Sequence, residues 1–515
     1  MEESWVFEPA EPGFSSDHVD SGLAHAFENT SIPCVASSSD SEDGVWVEKP
    51  SVVDDYVHKQ SESPPVQVTQ TPAVIKRHTR SRLSPERRLQ AASTRKWGAC
   101  IRCYIQKIRC IPHPENPENS CCLTCASVSR ESKKVIHRLP CLRLRLTEVV
   151  MFRGGGLNLT SRWTGTAMKN LSPNDWVNNE LRTLTWQLEH SPYPLQFTVK
   201  RFHPQAGDSL SRKWQDSNGQ TRETRIEPFG LADIQKTAND YMAYNFTYSL
   251  ASLNTVKQRM IGQVEDIVWR TYDEVSKLIV MTERPPGLRG KNVNPADFLH
   301  QYVKLWFGIR NSVGSAYITE NTDTLDMGPE SHPDYPYGAR ISIPRMVSEQ
   351  FYNLQYERLL VPTRKRVLED LNRMMTGKKP DHFFTVYLTV FMLLYETSVA
   401  SADRHRRAAQ YAEPTYYSLP LFVEQLQFGA NIVLLHWHYY KRGFNPLRTD
   451  WSSVKDKAIW STLTMEQRQF LCDSWRYFED RAARPVEKMT WKNELYFVAQ
   501  MFEDDLSLGE TYPGN

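Results

Sequence analysis

Apolar residues recur at three- and four-residue spacing through the second half of the chain. Met260, Val264, Ile267, Thr271, Val275 and Leu278 fall on one helical face, and Pro285-Pro286-Gly287 predicts where that helix stops. A helix is expected over Tyr416–Arg442, with Lys441 and Arg442 at its negative end and Gly443 as its cap. Another starts at a Thr464/Gln467 capping box and ends near Pro485. Further helices are expected near 296–312, 346–376, 380–402 and 488–504. Leu195, Phe197 and Val199 alternate with polar residues, the period of a short strand. The pattern therefore predicts a mainly α protein, with a mixed connecting region over 157–230 and a large α-helical domain over 231–510.

The first 150 residues do not share this periodicity. Residues 1–75 are rich in Ser, Pro, Asp and Glu, with an acidic patch at Ser37-Ser-Ser-Asp-Ser-Glu-Asp43, and bury too little to offset chain ordering, so a disordered acidic tail is expected. Val45-Trp46-Val47 and Val52-Val53-Asp54-Asp55-Tyr56-Val57 mix acids with apolar residues, the composition of activation segments that fold on a partner; a solvating tail is the alternative. Residues 76–95 form a basic linker, with clusters at Lys76-Arg77-His78-Thr79-Arg80-Ser81-Arg82 and Arg87-Arg88 suited to nuclear import or phosphate contact. A cysteine-rich module is expected over 96–153, and Gly154-Gly155-Gly156 marks a flexible boundary after it.

Charge sharpens this division. The 515-residue chain carries 62 Lys and Arg against 60 Asp and Glu, for a net of +2. Residues 1–60 nevertheless hold thirteen acids and only two bases, Lys49 and Lys59, whereas residues 76–153 hold eighteen bases and five acids. The near-neutral total is a cancellation, and the basic block is the part suited to a polyanion. No apolar leader follows the acidic Met1-Glu-Glu-Ser-Trp start, and the longest apolar run, Phe383 to Tyr395, falls short of the ~20 residues that span a bilayer. Neither secretion nor a membrane partner is expected.

Nine cysteines would be unremarkable if dispersed, but seven lie between Cys100 and Cys141. Taking Cys122 as the fourth, the spacing is C-x2-C-x6-C-x11-C-x2-C-x15-C, and the adjacent Cys121 leaves that choice open. Two C-x2-C pairs suit zinc, whose tetrahedral thiolate bonds are about 2.3 Å long. Six thiolates satisfy two zinc ions when two of them bridge. One redox dithiol would not explain seven clustered cysteines, nor would an iron–sulfur cluster explain the flanking bases.

Cys100-Ile-Arg-Cys103-Tyr-Ile-Gln-Lys-Ile-Arg-Cys110 together with Cys122, Cys125 and Cys141 resembles the fungal Zn2Cys6 binuclear-cluster transcription factors, over roughly 45 of the 515 residues. The x15 spacing before Cys141 exceeds the usual family spacing, and His137 is an alternative last ligand. The resemblance implies two Zn2+ ions bridged by Cys100 and Cys122, with Cys103 and Cys110 completing one site and Cys125 and Cys141 the other. It implies a short helix between Cys103 and Cys110 whose N-terminal end and bases enter the major groove of double-stranded DNA. Lys107 would then read guanine, and Gln106, standing where a base is usual, would suit adenine instead. Arg102, Arg109, Arg95 and Lys96 would contact phosphate. The function implied is zinc-dependent, sequence-specific regulation of RNA polymerase II transcription in the nucleus, with the transcription machinery as a further partner and the helical domain as a regulatory region. Leu142-Arg143-Leu144-Arg145-Leu146 reads as a strand with its arginines on one face, and no heptad dimerisation helix follows. A scaffold protein with a purely structural zinc module is the alternative. An enzyme is not expected, since no H-E-x-x-H, Walker, G-x-S-x-G or G-x-G-x-x-G motif occurs and His436 and His438 would lie on different helical faces.

Overall fold

In this computed structural model the described residues run from 84 to 506, apart from short internal stretches of which 282–292 and 411–419 are the longest. The acidic tail, the Lys76–Arg82 cluster and the expected helix start at Tyr416 lie outside them. The described chain is mainly helical, as its periodicity predicts.

Ser84 opens α1 (Pro85–Trp97): its hydroxyl accepts from the Arg87 amide, and Pro85 occupies the first turn, where no amide proton is needed. Residues 85–95, expected as linker, are thus helical. Two short helices, α2 (Ile101–Gln106) and α3 (Leu123–Ala126), belong to the cysteine module. Five strands then follow: β1 (Arg182–Leu188), β2 (Leu195–Arg201), β3 (Ser211–Gln215), β4 (Thr221–Arg225) and β5 (Phe229–Leu231). Next come α4 (Ile234–Met260), α5 (Asp266–Met281), α6 (Pro295–Val313), β6 (Ala316–Ile318), β7 (Ile341–Ser342), α7 (Arg345–Gln355) and α8 (Val361–Gly377). The last described helices are α9 (Phe383–Gln410), α10 (Pro420–Lys441), α11 (Val454–Ser461), α12 (Met465–Ala483) and α13 (Tyr496–Ala499).

The sheet is antiparallel in the order β5-β2-β1-β6-β7, with β3 and β4 forming a separate hairpin. Its register sets Leu184 opposite Phe197 and Trp186 opposite Leu195, so one face is apolar. That face meets α7: the Phe351 ring stacks on Trp186 at 4.2 Å and on Phe197 at 5.6 Å between centroids. Every residue of α7 is buried, polar ones included, because its side chains satisfy the irregular chain that wraps it. Glu349 accepts from the Leu159 amide, Gln350 accepts from the Leu231 amide and donates to Lys169 O, and Asn353 donates to Ala167 O.

Helix α9 runs through the helical core, flanked by α10, α5 and α13. It is apolar and long enough to cross a membrane by composition alone, yet 83% of the relevant window, Pro380–Ala402, is buried inside the protein. A helix apolar on all faces is what the centre of a large domain requires.

Five local expectations change. The helix drawn through Met260 to Leu278 is two helices, because Gly262 takes a positive φ and turns the chain between α4 and α5. The 346–376 helix carries a π-helical turn at Tyr356–Leu360. Over 488–504 only α13 is helical, the rest being turns. Leu142–Leu146 joins no strand ladder; Leu142 and Leu144 pack on the core and Leu146 is buried in it. The Thr464/Gln467 capping box forms as drawn, with reciprocal bonds of 3.1 and 3.3 Å. The glycine triplet is no free hinge, since Gly156 is buried and a Cβ on it would lie 2.8 Å from Gly165 O.

Candidate metal centre and nucleic-acid interface

Cys100 precedes α2 in an extended conformation, and its Sγ accepts from the Cys103 amide at 3.4 Å. Cys122 does the same for α3, accepting from Cys125 at 3.3 Å. The x2 spacing produces this capping geometry, because residues three apart across a helical first turn share a side. The Cys100 amide donates to Cys110 Sγ and the Cys122 amide to Cys141 Sγ, both at 3.4 Å. The Ile101 amide bonds Leu142 O while the Leu123 amide bonds Ile111 O, both at 2.9 Å. Residues 100–111 and 122–142 therefore form two halves with the same internal bonds, interlocked across a local two-fold relation. The sequence shows no internal repeat beyond its doubled C-x2-C.

At the centre, Cys100, Cys103, Cys122 and Cys125 are buried with their sulfur atoms within 4.8 Å of one another, a set that can hold a metal ion. The Cys100–Cys122, Cys100–Cys125, Cys103–Cys122 and Cys103–Cys125 sulfur separations are 3.9, 3.6, 3.8 and 3.9 Å. Tetrahedral bonds of about 2.3 Å would separate sulfurs by about 3.8 Å, so the donor set fits a thiophilic ion such as zinc. Cys110 and Cys141 flank this group, each tied to its own half by the amide bonds above. Cys122 lies within the cluster and Cys121 on its rim, half-buried. His137 instead hydrogen-bonds the Ser132 hydroxyl through Nδ1 at 2.7 Å.

The thiols do not share charge evenly. Hydrogen bonds from Cys100, Cys103, Cys110 and Cys125 hold Cys122 below the ordinary thiol range, and the hydrogen bonds with Cys100, Cys103, Cys121 and Cys122 push Cys125 above it. Cations are what let such a cluster ionise together.

The remaining predicted residues divide by face. Lys107 and Arg109 are exposed, Tyr104 is 52% exposed, and Gln106 is half-buried beside them. The helix bearing these residues begins at Ile101 rather than after Cys103. Its N-terminal end is taken up by the cluster, so the end open to a partner is the C-terminal one. Lys107 caps that end in the left-handed region, φ 56°, with its amide bonded to Tyr104 O at 3.2 Å. Thr124 then secures the following loop, donating to Arg109 O at 2.8 Å and accepting from the Ile111 amide. Arg95 and Lys96 are exposed in the last turn of α1, with Lys96 Nζ 4.4 Å over the Trp97 ring.

Arg102 departs from its expected phosphate-facing role, being only 3% exposed. It lies on the back of α2 with Ile101 and Ile105, facing α10. Burial works against its charge, and the neighbouring Cys125, Tyr439, Cys100 and Cys141 favour it electrostatically, so that on balance its pKa is raised. Tyr439 of α10 donates its hydroxyl to Pro140 O at 3.2 Å, a contact with no signature in the cysteine spacing.

A compact thiol centre that can hold a metal ion is fastened to a large, mainly helical domain. A family model described as the KpeA transcription factor matches residues 155–473, more than half of the chain, and the chain belongs to that family. The match starts just after the cysteine module and covers the sheet and most of the helices. No curated protein and no solved structure matches the chain.

Proposed function

We propose that this transcription factor is a nuclear, zinc-dependent, sequence-specific DNA-binding regulator of RNA polymerase II transcription. The observation that carries the reading is a thiol cluster that buries all seven of its cysteines wholly or in part, while Lys107 and Arg109 stand exposed at the open end of α2. On this reading all six of Cys100, Cys103, Cys110, Cys122, Cys125 and Cys141 hold two Zn2+ ions, which supply the folding energy of the module. The left-handed turn at Lys107 carries its ammonium into the major groove, with Gln106 beside it for base contact and Arg109, Arg95 and Lys96 on phosphate.

The test is selection of duplexes from a random pool by the zinc-loaded full chain. One preferred site is expected, with log K falling by about 0.9 per neutralised phosphate as log salt rises. Lys107→Ala should keep its zinc and lose about 1–3 kcal/mol at that site. Cys103→Ala should lose both metal and site. Metal uptake without any duplex preference would instead leave a structural zinc scaffold. A second metal reading rests on the tight Cys100, Cys103, Cys122 and Cys125 set, which suits a single ion. One zinc per chain, unchanged in Cys110→Ala and Cys141→Ala, would establish it.

A further inference from the structure

The module is joined to the helical domain by more than its chain connection. Ile101, Ile105 and Leu139 belong to the same continuous apolar core as Leu146, Val149 and Phe152 and the helices α8, α9 and α10. Arg102 sits in this seam with its Nε and Nη2 buried and without a hydrogen-bond acceptor among the described residues. An uncompensated buried guanidinium costs several kcal/mol, and it is retained where a fixed negative partner lies beside it. The loaded cluster supplies that partner. Two zinc ions with six thiolates carry a net charge of −2, and one zinc with four thiolates also carries −2, so the argument does not depend on ion count.

We propose that Arg102 is a positioning residue of the metal centre and that the Arg102–Tyr439 seam couples metal occupancy to the order of α10. Arg102 neutralises part of the cluster charge from the side facing α10, and Tyr439 holds Pro140 O next to Cys141. Linkage makes the effect reciprocal: metal steadies the seam, and an intact seam tightens metal binding. The inference rests on the metal reading above and not on DNA binding.

The experiment uses the full chain loaded with Zn2+ or Co2+. Arg102→Gln should bind zinc about tenfold or more weakly in equilibrium competition with a chromophoric chelator, the range seen when groups supporting metal ligands are removed. Arg102→Lys should restore retention, and the thiolate-to-Co2+ absorption band should shift in the Gln variant but not in the Lys variant. In the wild-type chain, stripping the metal should speed amide exchange across residues 436–441, and Tyr439→Phe should speed it across 139–146 with metal present. Wild-type exchange at 436–441 that ignores the metal would overturn the coupling even if Arg102→Gln fails to fold. A zinc affinity of Arg102→Gln equal to the wild-type value would overturn the positioning role. A chain that takes up no metal would instead overturn the metal reading beneath both.

Discussion

Glu396 on α9 accepts hydrogen bonds from the Tyr272 hydroxyl, from Trp306 Nε1 at 2.8 Å and from Arg310 Nη2 at 2.6 Å. Arg310 is only 6% exposed at its side chain, so its charge depends on that carboxylate. Glu396→Gln should destabilise the folded chain by about 3 kcal/mol, the cost of stranding a buried charge, read by urea denaturation. A change under about 1 kcal/mol would mean that solvent reaches Arg310 in place of the carboxylate. The contrast with Arg102 shows what single residues reveal in a string of letters. The cysteines are legible because their chemistry and spacing coincide. Arg102, between two of them, reads as one more base for phosphate, because nothing local records that α10 covers that side of the helix. Lys107 is legible as a base but not as a left-handed cap, since that conformation follows from the turn forced by Cys110 joining the cluster.

Among elements, α10 combines apolar length with three buried basic groups. His436 donates to Ile432 O, His438 Nε2 lies 2.7 Å from Gln500 O, and Lys441 Nζ donates to Met501 O and Glu503 O, so the last two fasten the C-terminal segment. Burial lowers His436 to about 4, and burial with the nearby Lys441 charge lowers His438 to about 3. Unfolded histidines titrate near 6.5, so on acidification the unfolded chain takes up protons first. The stabilisation is complete above pH 6.5 and falls towards pH 4, by about 2 kcal/mol per histidine at pH 5. His438→Gln should therefore flatten the stability difference between pH 5 and pH 7 by about 2 kcal/mol relative to wild type, as measured by denaturant titration. An equal slope in both proteins would show that His438 is protonated when folded. Helix existence was readable from periodicity here, and the Thr464/Gln467 box located a boundary. The break at Gly262 was not, because apolar spacing continues through a turn whose conformation only the glycine permits.

At the scale of the whole molecule, sheet, helices and thiol module share one apolar core. The residues that bind them together are Leu146, Val149 and Phe152, all buried, with Val149 against Gly429 of α10 and Phe152 edge-on to Tyr356 at 5.6 Å. Composition placed the border at the three glycines, because charge and cysteine content change there and long-range packing leaves no compositional trace. That border is the wrong place to cut. If a foreign metal module is grafted onto this helical domain, a joint at residue 154 removes three core side chains and should cost several kcal/mol. A joint between Arg145 and Leu146 keeps them. Thermal melting of the two hybrids should separate them clearly, and equal melting points would mean that Leu146, Val149 and Phe152 are dispensable. For a lineage that exchanges its metal module by recombination, the eight residues from Leu146 to Arg153 are then inherited with the helical domain. Such an exchange keeps the shared core intact only where the crossover lies upstream of them.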